Sequence, residues 1–118
     1  MIGIFDSGSG GLTVLRAIRE RMPSADIVYF GDIKNAPYGT KSQHELSALT
    51  FAAFKLLIKE GSTSVVSACN SASTTLAVSL LDAGDISPDR VIEMVGPTVR
   101  ALKHTDADIL IAATPATI

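Results

Sequence analysis

The feature that most constrains this chain is an alternation of short apolar runs, each followed by a polar turn and then by apolar residues at helical spacing. Ile2 to Phe5 read as a strand, and Leu12, Leu15, Ile18 and Met22 then recur at helical intervals as far as Pro23. Ile27 to Phe30 form the second strand, followed by a loop, GDIKNAPYGTK, whose Asn, Pro and Gly residues oppose regular structure. The next helix is signalled at both ends. Ser42-Gln43-His44-Glu45 has capping-box spacing, Leu46, Leu49, Ala53, Leu56 and Leu57 make the apolar face, and Gly61 stops it. Ser64 to Ala68 read as the third strand, and Ser71 to Ala83 as the third helix, closed by Gly84. Val91 to Val95 read as a fourth strand, Pro97 suits the first turn of a short helix through Leu102, and Asp108 to Ala113 read as a fifth strand.

Strands alternating with helices predict an α/β fold: a doubly wound, mostly parallel sheet with helices on both faces, in three α/β/α layers. With 118 residues, 47% of them apolar, the chain has enough material for one domain, 1–118, with its own core. In such sheets a ligand binds beyond the carboxyl ends of the strands, where the strand order reverses. The residues at those ends are Asp6-Ser7, Gly31-Asp32, Cys69-Asn70, Gly96-Pro97 and Thr114. A strand order of 2-1-3 brings Asp6, Asp32 and Cys69 out along one edge.

Composition removes several classes of function. A formal net charge of -2 without a Lys/Arg run does not make a surface that tracks phosphates, so no nucleic-acid partner is expected. No apolar run approaches the roughly 20 residues of a membrane span, and the start, MIGIFDSG, has neither a basic n-region nor a cleavage-like site. The expectation is a cytoplasmic protein. Cys69, the single cysteine, is then a free thiol, either packed or reactive.

Chemistry collects around two turns. In MIGIFDSGSGG a strand ends on a carboxylate and a hydroxyl and passes into glycines, which suits a backbone that holds a small polar ligand. Cys69 stands where a strand gives way to a helix, and a sulfur at the positive end of a helix is favoured as thiolate. A neighbouring carboxylate such as Asp6 opposes that ionisation unless it accepts or relays the proton itself. Asn70, Ser71, Ser73 and Thr74 add donors that suit a substrate carboxylate.

Each residue also has a plainer reading. A cysteine at a strand end is often inert packing. Asp before Ser-Gly commonly shapes a turn, and Asp32 serves equally to brace its loop or to touch ligand. The glycines lack G-K-[ST], and Thr13 stands where the third glycine of G-x-G-x-x-G counted from Gly8 would fall, so a nucleotide loop is disfavoured. His44 falls in the capping box and His104 near a helix end, and neither is assigned catalysis. Tyr29 reads as core, whereas Tyr38, between Pro37 and Gly39, sits in a rigid loop that walls or shapes the cleft.

Together FDSGSGGLTVL, YFGD followed by APYG, and ACNSAS resemble the amino-terminal half of the glutamate racemase family, within the aspartate/glutamate racemase superfamily, in order and over essentially the whole chain. The resemblance implies interconversion of L- and D-glutamate by two-base proton transfer, supplying D-glutamate for peptidoglycan, with no metal and no pyridoxal phosphate. It implies that one cysteine from each half faces the substrate α-carbon from opposite sides. Cys69 matches the cysteine of the amino half and Asp6 the carboxylate that assists it. Ser7, Asn70 and Ser71 match positions that bind the polar groups of the substrate, and Pro37, Tyr38 and Gly39 match the loop bordering the site. Thr114 and Thr117 fall where family members carry further substrate-facing threonines.

Two departures qualify the match. Ser71 and Ser73 stand where threonines are more usual, which keeps the hydroxyl and removes a methyl group. The second cysteine and its Cys-Thr-His neighbourhood do not occur in these 118 residues, so the expectation is half a catalytic site, inactive alone and prone to self-association or to contact with a carboxy-terminal half. Competing readings are an aspartate racemase, a one-cysteine decarboxylase of the same superfamily, and a non-catalytic module that binds an acidic amino acid or a protein partner.

Overall fold

A computed structural model describes residues 1–76 and 87–118. Strand β1 (Ile2–Asp6) leads into α1 (Leu12–Arg21), β2 (Ile27–Gly31), a 3-10 turn (Ile33–Asn35) and α2 (Gln43–Lys59). Then follow β3 (Ser64–Ser67), the single turn α3 (Asn70–Ser73), a second 3-10 turn (Pro88–Arg90), β4 (Val91–Ile92) and α4 (Val95–Leu102). The strands form one parallel sheet in the order β2-β1-β3-β4. The expected 2-1-3 reversal is therefore present, with Ile4 of β1 opposite Tyr29 on one side and Val66 on the other. Because β1 to β2 and β2 to β3 run in opposite directions across the sheet, right-handed crossovers send α1 and α2 to opposite faces.

The core lies between the sheet and α2. Phe5 points from β1 into a cluster where its ring centroid lies 6.2 Å from Phe30, 5.9 Å from Tyr38 and 6.0 Å from Phe54. Leu46, Ala53 and Leu57 of α2 close over it with Val65 of β3. Residues i and i+2 of a strand share a face, so Phe5 facing α2 sends Asp6 to the other face, toward the turn that precedes α1. The capping box forms as its spacing requires: Ser42 Oγ accepts from the Glu45 N–H at 3.3 Å, and Glu45 Oε2 accepts from the Ser42 N–H at 3.0 Å. That carboxyl is held below the ordinary carboxylate range, chiefly by its hydrogen bonds from Ser42.

Three elements differ from the sequence reading. The third helix, expected over 71–83, opens as Asn70–Ser73 and is interrupted by a turn at 74–75, while 77–83 of the expected span lie outside the described residues. Its hydroxyls bond local carbonyls, Ser73 to Cys69 O at 2.8 Å and Thr74 to Ser71 O at 2.9 Å, a competition that commonly bends or ends helices. The fourth strand stops at Ile92 instead of Val95 because Glu93 turns its carboxylate onto the N–H groups of Val95 and Gly96 and starts α4 there. The fifth strand, expected over Asp108 to Ala113, does not form, and Leu110 and Ile111 are 94% and 77% exposed. A strand needs a partner edge, and β4 offers only two residues. The chain is instead drawn to the cleft, where the Ala116 N–H donates to Gly39 O at 3.1 Å. Among the described residues no helix is long and apolar enough to cross a membrane.

Candidate active site

The carboxyl ends of β1 and β3 open onto one cleft of about 650 Å³, which the loop after β2 walls on its far side. Cys69 ends the segment after β3 and is buried, 5% exposed. Its thiol donates to Ser7 Oγ at 3.4 Å, joining the turn after β1 to the turn after β3. The backbone behind this sulfur turns into α3, whose first residue, Asn70, follows Cys69 directly, so the thiol stands at the N-terminal end of that turn as the sequence reading placed it.

Asp6 combines the turn role and the cleft role that the sequence left open. Its Oδ2 accepts the N–H groups of Gly8 at 3.1 Å and Gly11 at 3.0 Å, yet the residue also lines the cleft. Gly11 explains part of the glycine cluster. A β-carbon there would stand 2.8 Å from Asp6 Cβ and 2.9 Å from Ala68 Cβ, inside contact distance.

The opposite wall is Pro37, Tyr38 and Gly39. Asp32 holds it from behind, accepting from Asn35 Nδ2 at 2.8 Å and from the Tyr38 hydroxyl at 2.7 Å. Asp32 is buried and is not among the lining residues, so of its two sequence readings the structure shows the brace. Burial first, and then the Asp32 hydrogen bond, push the Tyr38 phenol well above its ordinary range, so it stays a donor.

The chain after α4 closes the third side. Ser71, Thr114 and Thr117 form a triangle of hydroxyls, with oxygen separations of 3.1 Å from Ser71 to Thr114, 3.3 Å from Ser71 to Thr117 and 3.1 Å between the threonines. Thr74 Oγ1 anchors the same turn through Ala116 O at 3.0 Å. Asn70 completes the set, so the residues that the resemblance implies for the site all border one space, whereas Ser73 and Thr74, read as further donors, bond carbonyls of their own turn and, like Asp32, do not line it. His44 and His104 are exposed and do not line it.

Among the described residues lining the cleft, Asp6 is the only charged one. The remaining polar groups are hydroxyls, the Asn70 amide and backbone. Such a wall suits a small ligand with an amine to meet Asp6 and oxygens to receive neutral donors, and it brings one thiol, Cys69, and one carboxylate, Asp6, to the same space.

Sequence reasoning missed four contributions. Met94 lines the cleft two positions beyond the end of β4, where the rule of reading residues beyond strand ends would have found it had the strand not been run to Val95. Val14 borders the cleft from within α1, and Ala112 and Ala113 from a stretch read as strand. Tyr29, read as core, is half-buried, and its hydroxyl donates to Gly8 O at 2.9 Å.

No family model matches the chain. It is 41% identical over 119 aligned residues to glutamate racemase from Clostridium perfringens, covering 99% of this chain and 45% of that protein. The crystal structure of glutamate racemase from Thermus thermophilus in complex with beta-chloro-D-alanine superposes with a TM-score of 0.82 at 36% identity, over 98% of this chain and 44% of the other. That of glutamate racemase from Francisella tularensis in complex with D-glutamate gives 0.80 at 33% identity, over 98% and 43%. The chain thus spans less than half the length of the relatives it matches. In sequence and in fold alike, the chain is similar to the glutamate racemases over less than half of their length.

Proposed function

We propose that this chain is the amino-terminal half-site of a cofactor-independent glutamate racemase. The observation that carries the reading is Cys69, buried with its thiol held by Ser7 in a cleft whose only lining charge among the described residues is Asp6. In this role Cys69 as thiolate takes the α-proton from one face of glutamate, or as thiol returns it. Asp6 offers a carboxylate to the substrate amine or to the proton leaving it. Ser7, Asn70, Ser71, Thr114 and Thr117 supply neutral donors to the carboxylates, and Pro37, Tyr38 and Gly39 confine the substrate. Inverting a carbon centre also needs an acid within hydrogen-bond reach on the opposite face. That acid belongs, in this reading, to the half of the relatives beyond the match, which also covers the apolar residues left open at Ile109, Leu110 and Ile111. The product, D-glutamate, would be supplied in the cytoplasm for peptidoglycan.

The test is circular dichroism of L-glutamate over time, with this chain alone, with a version joined to the second half of a relative, and with Cys69→Ala in the joined form. The expected result is conversion by the joined protein only, abolished by Cys69→Ala. Sustained conversion by the chain alone would overturn the half-site reading. Activity on L-aspartate in place of L-glutamate would move the substrate, and no activity on either would favour the binding module.

A further inference from the structure

Tyr29 lies on β2, beside β1, and does not line the cleft. Its phenol nevertheless donates to Gly8 O at 2.9 Å. The N–H of the same Gly8 is held from the other side by Asp6 Oδ2 at 3.1 Å. One residue is therefore fixed at both its polar atoms, and its neighbour Ser7 is the acceptor of the Cys69 thiol. Gly31, two residues beyond Tyr29, permits this approach, because a β-carbon there would collide with Gly8 O.

We infer that Tyr29 is a positioning residue for the reactive thiol: by gripping the Gly8 carbonyl it keeps Ser7 against Cys69 and holds the glycine turn in register with β3. The inference rests on the reading of Cys69 as the working base, but its physical content is a chain of three contacts, Tyr29 to Gly8, Gly8 to Ser7 along the backbone, and Ser7 to Cys69. Burial and the adjacent Asp6 carboxylate push the Tyr29 phenol up to about 12, so it remains a donor throughout the neutral range.

Because Cys69 is the single cysteine, the rate of its alkylation by iodoacetamide reads this arrangement without any requirement for racemase activity. Tyr29→Phe removes one hydroxyl and keeps the ring. The expected result is alkylation roughly 3- to 10-fold faster than in the parent chain, the size of one lost neutral hydrogen bond. Ser7→Ala should accelerate it similarly, and the double variant should be no faster than Ser7→Ala, because Tyr29 acts through Ser7. In amide spectra the Ser7 to Gly11 resonances should move while those of β3 hold still. Gly31→Ala, which pushes Gly8 away with the phenol intact, should reproduce the acceleration and guards against a folding defect peculiar to Tyr29→Phe. An unchanged alkylation rate in both Tyr29→Phe and Gly31→Ala, or a Tyr29→Phe effect that persists in full on the Ser7→Ala background, overturns the inference. Failure of the racemase reading would appear separately, as no conversion of glutamate by the protein joined to the second half of a relative, with the alkylation pattern intact.

Discussion

Helices α1 and α2 carry the same kind of sequence and meet different fates. Each has apolar residues at helical spacing, yet α2 buries Leu46, Thr50, Ala53, Phe54 and Leu57. No residue of α1 is buried, and Leu12 is 47% exposed. The difference lies in what each face meets. The α2 face meets the aromatic cluster around Phe5, whereas Val14, Ala17, Ile18 and Met22 of the α1 segment border an open groove of about 370 Å³ shared with Met94. Helical periodicity reports which face of a helix is apolar; it does not report whether the same chain supplies the cover.

The largest test of this contrast is Phe54→Ala. A large buried ring lost from the centre of the core should cost about 3–5 kcal/mol in urea unfolding. Ser42→Ala should cost less, about 1 kcal/mol in the same titration, by removing the side-chain acceptor of the α2 cap. Leu12→Ala, on the exposed face of α1, should change stability by no more than about 0.5 kcal/mol. If Leu12→Ala costs as much as Ser42→Ala, the α1 face is covered in solution and the contrast is broken. The smallest effect is electrostatic. Because the folded Glu45 carboxyl titrates below its ordinary value, its contribution to the α2 cap is full above the unfolded value and fades as pH falls through the lowered folded one. An acid titration followed at the Ser42 amide should show the cap opening in that acidic window, while Glu45→Gln removes the step.

Much of the architecture was legible because local chemistry and global placement agree. The capping box fixed where α2 begins, and the polar residues beyond β1 and β3 predicted the cleft that Asp6, Ser7, Cys69, Asn70 and Ser71 share. Legibility ended where a decision depended on pairing. Asp108 to Ala113 has the composition of a strand, but composition cannot create an edge for it to join. Val91 to Val95 looked uniform because the event that cuts it short, Glu93 capping its own downstream N–H groups, is a side-chain conformation and not a pattern. Tyr29 looked like core because aromatic residues in strands usually are; only the three-dimensional approach of Gly8 gives its hydroxyl a partner.

The triangle of Ser71, Thr114 and Thr117 has a consequence for which ligand groups it welcomes. Each hydroxyl has one proton to give, so a closed ring of three spends all of its protons on itself, circulating in one sense or the other. Both senses place the heavy atoms identically, and reversing the circulation needs only rotation about three C–O bonds. While closed, the ring turns lone pairs outward and can receive an ammonium with nothing broken. To donate to a carboxylate, the role proposed for these hydroxyls, it opens one link at a net expense of about 1 kcal/mol, less than the roughly 1.5–3 kcal/mol of a hydrogen bond to a charged group, so the ring keeps its donors satisfied until an anion arrives.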